Sequence, residues 1–429
     1  MTYIRFLSTY RSLLAFGFLT ALSSSFGQTF FISLFLPYFM VDFSLSKADV
    51  GFLYAGSTLL GAVCLPHLGG RIEELELRRY TALTIAGMAG AAFLVALAPH
   101  VLLLGVGILG LRLTGQGLLG HISHTVMARE FIGSRGKALG FAGLGYPLGE
   151  AVLPIACALA LGFVPWRVVW VIVGATALAL VLPAALRLLR HPSGQTDSSV
   201  QEALRNGHDN LPPRKSFFRD ARLYLAMPTT LMPSFVLTGM FLYQASLSEA
   251  KGWAPAWMAA AFAGFAISRA LSSLAVGTMI DRYSAIRLLP VYGLPLGLGL
   301  LLLQLSSSRW VAFPYLLLAG MTGGANGAIA SAILAEIYGG SNIGRIRSFT
   351  AMLGVLSAAA SPAVMGALFY YEVAFDVMLL GAAGLTVLTS LIGAPLLLRK
   401  ANQPGGDATD QRGLRLFARS RPLDELSGD

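Results

Sequence analysis

Three charged residues lie inside long apolar stretches of this sequence: Arg112, Glu150 and Arg269. A charge at the centre of a membrane helix costs about 2.5–3.5 kcal/mol on insertion scales, so such residues are usually retained for function. Arg112 lies about eleven residues into its stretch and Glu150 about thirteen, which places both near the bilayer midplane at a rise of about 1.5 Å per residue. We predict that they form an ion pair in which Glu150 exchanges a proton and Arg112 holds an anion or tunes the carboxylate. A static structural pair is the alternative.

Arg269 has no acidic residue within one helical turn of it in the sequence. A buried guanidinium is hard to keep unless a ligand or another helix supplies negative charge. This predicts an anionic, carboxylate-like substrate held by Arg269. Neutral polar residues inside other stretches are candidate contacts, although each could instead hold helices together. The predicted substrate-binding set is Gln28, Arg112, Tyr146, Gln244, Arg269 and Asn326.

The elements that must position these residues are membrane helices. The 429 residues are 55% hydrophobic and 12% charged, with a mean hydropathy of +0.68. The apolar residues form twelve runs of helical period, each about long enough to cross a hydrocarbon core, and no alternating segments typical of a β-barrel occur. The fold class predicted is therefore all-α integral membrane. Both cysteines lie inside apolar runs and indicate no disulfide framework.

The basic residues are distributed unevenly about the twelve spans. About 25 of the 31 Lys and Arg fall on one side, which is the positive-inside asymmetry and predicts cytoplasmic termini in the inner (cell) membrane. The formal net charge of +10 is thereby explained by orientation and by contact with anionic lipid headgroups, so nucleic acid is not expected as a partner.

A polar, turn-rich segment divides the spans into two sets of six. We predict an N-terminal six-helix bundle at residues 1–189, a cytoplasmic linker at 190–222, a C-terminal six-helix bundle at 223–398 and a disordered cytoplasmic tail at 399–429. A central cavity is expected between the bundles.

Two charged turns recur about 207 and 210 positions apart, which supports an internal repeat. The first turn has Gly70, Glu74 and Arg78 in one half and Gly277, Asp281 and Arg282 in the other. The second is Ser134 to Lys137 and then Gly344 to Arg347. We predict that these charges form a cytoplasmic gate in which Glu336 pairs with Arg345 or Arg347.

The first turn resembles the best-known motif of the major facilitator superfamily. Its first copy is degenerate, since Glu74 replaces Asp, Leu75 replaces Arg and Leu77 replaces Gly. The second copy keeps Gly277, Asp281, Arg282 and Arg287. The run from Arg112 to Gly117 resembles the family's second motif, and the antiport-associated motif of span five is loosely matched by Gly140, Gly145, Pro147 and Gly149. The resemblance covers about Leu13 to Leu398.

The resemblance implies a secondary active transporter, not an enzyme, that works by alternating access. Arg269 and the turn after span ten also resemble bacterial relatives of monocarboxylate and oxalate carriers. The leading hypothesis is proton-coupled symport of a small organic anion. Efflux of hydrophobic or drug-like compounds by proton antiport is the alternative among transporters, and a polytopic membrane enzyme or sensor with a transporter-like fold is the alternative from a different function class.

No cofactor is expected, because the sequence lacks a nucleotide-binding Gly-Lys-Ser or Gly-Lys-Thr loop. His121 and His124 have no further metal ligands near them in sequence, so no metal is expected. The expected partners are the small-molecule substrate, a proton or another cation as coupling ion, and lipid, with the protein as a monomer.

Glycines of spans five and ten are expected where helices approach closely: Gly136, Gly140, Gly145, Gly149, Gly320, Gly323, Gly324 and Gly327.

Overall fold

The structure, a computed structural model, describes residues 3–131, 135–189, 220–338 and 343–395. In these residues ten helices are long and apolar enough to cross a membrane, a bent pair provides an eleventh crossing, and a shorter apolar helix, Leu294–Leu305, brings the number to twelve. We number them α1 (Arg11–Gly27 with Thr29–Asp42), α2 (Lys47–Gly70), α3 (Leu77–Leu97), α4 (Val101–Glu130), α5 (Lys137–Leu161), α6 (Trp166–Leu188), α7 (Ala221–Leu242), α8 (Pro255–Tyr283), α9 (Leu294–Leu305), α10 (Arg309–Tyr338), α11 (Ile343–Tyr370) and α12 (Phe375–Gly393). The predicted all-α membrane fold is confirmed.

Local sequence signals explain several helix starts. At the start of α2 the Ser46 hydroxyl accepts a hydrogen bond from the Asp49 amide (3.1 Å), and the Asp49 carboxylate accepts one from the Ser46 amide (2.9 Å). This capping box satisfies amides that have no partner inside the helix. Helix α8 begins at Pro255, where a missing amide costs nothing.

Helices α1 and α4 depart from regular α geometry where the sequence predicts continuous spans, and α6 contains a further π-helical stretch at Ala177–Val181. Helix α1 is broken at Gln28, whose backbone is extended, and its two parts differ in direction by 44°. Helix α4 is a π-helix from Leu111 to Leu119. Such wide turns occur often at functional sites, and this one carries Arg112.

The twelve helices form two six-helix bundles, α1–α6 and α7–α12, which meet mainly where α2 contacts α11 and α5 contacts α8. Aromatic residues fill much of each interior. In the first bundle the Trp170 ring packs on Phe35 and Phe31 with centroids 4.7 and 5.5 Å away. In the second, Phe241 packs on Phe262 and Phe265 at 5.0 and 4.9 Å.

The predicted linker lies almost wholly outside the described residues, and the predicted tail lies entirely outside them. We call the end of the molecule that carries Arg71, Arg78 and Arg282 the basic end. The other end, with Lys47, Tyr243 and Glu249, we call the closed end, because the bundles contact each other there.

Candidate functional site

A cavity of about 890 Å³ lies between the two bundles. It begins at the break in α1 and extends along α2 and α4 to His121 and His124, close to the basic end. His124 is exposed, so the cavity is accessible from that side. The first bundle contributes most of the polar lining: Gln28, Thr29, Thr58, Arg112, Gln116, His121, His124, Tyr146 and Glu150.

The closed end is held by contacts between the bundles. The Tyr243 hydroxyl on the second bundle lies 2.9 Å from the carbonyl oxygen of Lys47 and 3.1 Å from that of Pro362. Lys47 also forms an ion pair with Glu249 at 3.2 Å. A side chain at Gly51 would overlap the Tyr243 hydroxyl and the Pro362 carbonyl, so α2, α7 and α11 can meet here only because this position is glycine.

Arg112 is almost fully buried, with 5% of its surface exposed, and its partners are uncharged. Its Nε donates to the Thr58 hydroxyl at 3.1 Å, and its Nη1 donates to the Gly27 carbonyl at 3.2 Å and lies 3.5 Å from the Thr29 hydroxyl. The guanidinium also lies 5.0 Å from the centre of the Tyr54 ring. No carboxylate forms an ion pair with Arg112 among the described residues, so its charge is left uncompensated.

The break in α1 and the π-helix of α4 create this geometry together. A Cβ at Gly27 would overlap the Leu111 carbonyl, and one at Gly115 would lie 2.9 Å from the Gly27 Cα. The two backbones are therefore in direct contact, and the freed Gly27 carbonyl is brought to Arg112. Carbonyls freed by a helix break are tolerated in a membrane protein where they line a cavity or bind a cation.

Glu150 pairs with Arg269 and not with Arg112, so the predicted Arg112–Glu150 ion pair is wrong. Glu150 Oε1 accepts a hydrogen bond from Arg269 Nη1, which joins α5 of one bundle to α8 of the other. The Glu150 side chain is 5% exposed, whereas 36% of the Arg269 side chain faces the cavity. The second Glu150 oxygen has no hydrogen-bond partner among the described residues.

Another helix therefore supplies the negative charge that Arg269 needs, which is one of the two possibilities that the sequence left open. Its partner comes from 119 positions away in the chain, in the other bundle. The pair is neutral as a whole, and among the described residues of the lining the remaining positive charge is that of Arg112.

Glycines beside Glu150 and Arg269 bring their helices into contact with neighbours. A Cβ at Gly145 would lie 2.5 Å from the Phe18 carbonyl of α1, and one at Gly149 would overlap Ser25. On the other side, a Cβ at Gly320 of α10 would lie 2.5 Å from the Phe265 carbonyl of α8.

The other predicted glycines divide into two groups. Gly324 has a close contact of the same kind with the Arg269 backbone, and Gly323 packs against Leu237 and Phe265. Added side chains at Gly140 and Gly327 would meet nothing within 4 Å, and the surroundings of Gly136 lie outside the described residues.

Of the neutral residues predicted as substrate contacts, Gln28, Tyr146 and Asn326 line the cavity. Asn326 also accepts a hydrogen bond from the Tyr292 hydroxyl at 2.9 Å, which fixes its side chain. Gln244 does not line this cavity. Its amide nitrogen donates to the Ser33 hydroxyl at 2.7 Å and to the Phe30 carbonyl at 3.2 Å, so it ties α1 to the segment after α7.

The predicted gate residues lie at the basic end. The two glycines and the four charged side chains are exposed, and none of the charges forms an ion pair within the described part of the chain: Gly70, Glu74, Arg78, Gly277, Asp281 and Arg282.

Glu336 accepts hydrogen bonds from the Ser284 hydroxyl and the Ala285 amide, both at 2.6 Å, and so caps a short helix after α8. The side chains of its predicted partners, Arg345 and Arg347, lie outside the described residues.

Sequence reasoning missed the hydroxyls that surround Arg112. Tyr54 and Thr58 are four residues apart on α2 and thus on one face of the helix, and the Tyr54 hydroxyl donates to Thr29 at 2.7 Å. This spacing of polar residues in an apolar helix was the available signal. The phenylalanines of the opposite wall, Phe241 and Phe265, gave none, because they look like ordinary core residues.

Comparison with known proteins gives a family and a fold. The family model described as Major Facilitator Superfamily matches residues 17–263. No curated protein matches this sequence.

Solved structures resemble the whole chain. An inward-facing, occupied bacterial homologue of the human lysosomal transporter Spinster is 15% identical, with 93% of this chain and 95% of that one covered and a TM-score of 0.65. The nucleoside transporter NupG is 15% identical, with coverage of 91% and 99% and a TM-score of 0.69. Identities this low establish the shared fold alone.

Proposed function

This chain belongs to the major facilitator superfamily, and on that premise we propose that it carries a small organic anion by proton-coupled symport across the inner (cell) membrane. Membership makes the protein a secondary transporter that works by alternating access, and not an enzyme. We propose three further features: the substrate is an anion, the coupling ion is a proton, and both termini are cytoplasmic.

The charge of Arg112 supports the choice of an anion. A guanidinium in a cavity, with uncharged partners only, attracts a carboxylate strongly, since charge-assisted hydrogen bonds are about twice as strong as neutral ones. Thr58, Thr29 and the Gly27 carbonyl hold the group in place, and the Tyr54 ring packs against it. Arg112 therefore takes the anion-binding role that the sequence suggested for Arg269.

The Glu150–Arg269 pair is the proposed site of proton coupling. It is the ion pair between the bundles that lines the cavity, and it joins α5 to α8. Protonation of Glu150 would remove the negative partner of Arg269 and release α5 from α8. A transporter that must rock one bundle against the other needs such a reversible connection.

Efflux of hydrophobic compounds by proton antiport is the second candidate. The glycines of α5 that contact α1 and the phenylalanines of the cavity wall favour it. The uncompensated charge of Arg112 favours the anion, because a neutral or cationic cargo would leave that guanidinium without a counter-charge.

Purified protein reconstituted in liposomes tests the proposal. With acid outside, we expect uptake of labelled monocarboxylates that stops when the pH gradient is abolished. Arg112→Lys should lower the apparent affinity at least about tenfold, because an ammonium cannot replace the planar fork. The control is Arg11→Lys at an exposed position at the start of α1. Transport of cationic dyes with no movement of any carboxylate would contradict the proposal and support efflux.

A further inference from the structure

The cavity has two chemically different walls, and we propose that it selects an amphipathic monoanion: one carboxylate on an aromatic or alkyl body. The inference rests on the proposed transport of anions and specifies which anions. It comes from the distribution of charge, apolar surface and free space around the cavity.

The charge balance predicts a single negative charge. Glu150 and Arg269 neutralise each other, and Arg112 is the remaining charged group among the described residues of the lining. His121 and His124 lie nearer the basic end, away from the break in α1 that positions Arg112. While Glu150 is ionised and paired with Arg269, as in this structure, a second carboxylate on the substrate would have no cation to meet among the described residues of the lining, and burying an unpaired charge is costly.

The wall provided by the second bundle is largely apolar. Besides Arg269 it contributes Ser234, Thr238 and Asn326 as polar residues, and Asn326 is bonded to Tyr292. The other side chains of this wall are apolar and include Leu237 and Phe241 on α7 and Phe265 on α8. Apolar surface that a substrate covers is removed from water, which favours a substrate with an apolar body.

The apolar side also has room for that body. Gly354 of α11 lines the cavity, and a Cβ added there would meet no neighbouring atom within 4 Å. Ala358, one turn further along α11, is small as well. The volume of about 890 Å³ lies near the upper end of the range that suits drug-sized ligands, which is about 300–1,000 Å³.

A matched ligand series on the purified wild-type protein tests this proposal. Each compound is used to displace labelled 3-phenylpropanoate: acetate, hexanoate, succinate and 3-phenylpropanamide. Burying a methylene improves affinity up to about fourfold, so hexanoate should bind on the order of 100-fold more tightly than acetate. Succinate and the neutral amide should each bind at least about tenfold more weakly than hexanoate, because one carries an unpaired charge and the other lacks the charge for Arg112.

Ligand binding to two glycine variants tests where the apolar body of the substrate lies in the cavity. Gly354→Leu should weaken binding of hexanoate and 3-phenylpropanoate at least tenfold, with a smaller effect on acetate. Gly381→Leu is the control, because Gly381 is exposed on α12, outside the cavity, and an added Cβ there also meets nothing within 4 Å.

The outcomes separate this inference from the proposal on which it rests. The amphipathic selectivity would be overturned by equal affinity for acetate and hexanoate, by tighter binding of succinate than of hexanoate, or by unchanged hexanoate binding in Gly354→Leu. Each of these results would leave anion transport intact. If the amide bound as tightly as 3-phenylpropanoate, or if no carboxylate bound at all, the proposed anion function itself would fail.

Discussion

Replacing each partner of the Glu150–Arg269 pair by glutamine should destabilise the protein to different extents. Arg269→Gln leaves a carboxylate that is 5% exposed and has one oxygen without a hydrogen-bond partner in the described part of the chain. Breaking a buried pair in this way typically costs about 3–5 kcal/mol. Glu150→Gln leaves a guanidinium whose side chain is 36% exposed and can be partly hydrated, so we expect a smaller loss of about 1–2 kcal/mol. The double variant removes both charges and should be more stable than Arg269→Gln alone.

Thermal unfolding of the purified variants in one detergent and at one pH measures this order. A change of 1 kcal/mol moves the midpoint by about 2–4 °C for chains of 150–250 residues, close to the size of one bundle. Arg269→Gln should therefore lower the midpoint by on the order of 10 °C, and Glu150→Gln by about half of that or less. Losses that add up in the double variant would show that the two residues do not interact. A larger loss for Glu150→Gln would refute the reasoning from exposure.

Two further predictions concern coupling and the anion site. In liposomes, Glu150→Gln should abolish accumulation driven by a pH gradient while substrate exchange continues in part, because binding at Arg112 remains; unchanged gradient-driven uptake would reject the proton role. Gly27→Ala should reduce binding of monocarboxylates at least about tenfold, since its methyl group would overlap the Leu111 carbonyl and separate α1 from α4, moving the Gly27 carbonyl away from Arg112. Gly90→Ala on α3, where an added Cβ meets nothing within 4 Å, is the control, and an equal loss there would point to a general effect of alanine.

Several features of this protein follow from the sequence alone. The long apolar runs specify membrane helices, because a chain in hydrocarbon must satisfy its backbone hydrogen bonds within each segment. The recurrence of Gly70 and Glu74 as Gly277 and Asp281 indicates two similar halves. The cost of burying charge singles out Arg112, Glu150 and Arg269 as the residues to explain. All of these signals depend on composition and on spacing within one helix.

The tertiary structure decided which charges meet. Glu150 lies on α5 and Arg269 on α8, and no pattern within either helix states that these two faces will be in contact. Their approach depends on how the two helices are rotated within their bundles, where Gly145 brings α5 against α1 and Gly320 brings α10 against α8. The hydrogen-bond partners of Arg112 are positioned by the break in α1 and the wide turn of α4. The contact between Gly27 and Gly115 fixes how closely these two backbones approach. Charge pairing between bundles is a property of the packed molecule, because residues over a hundred positions apart become neighbours only when the two bundles meet.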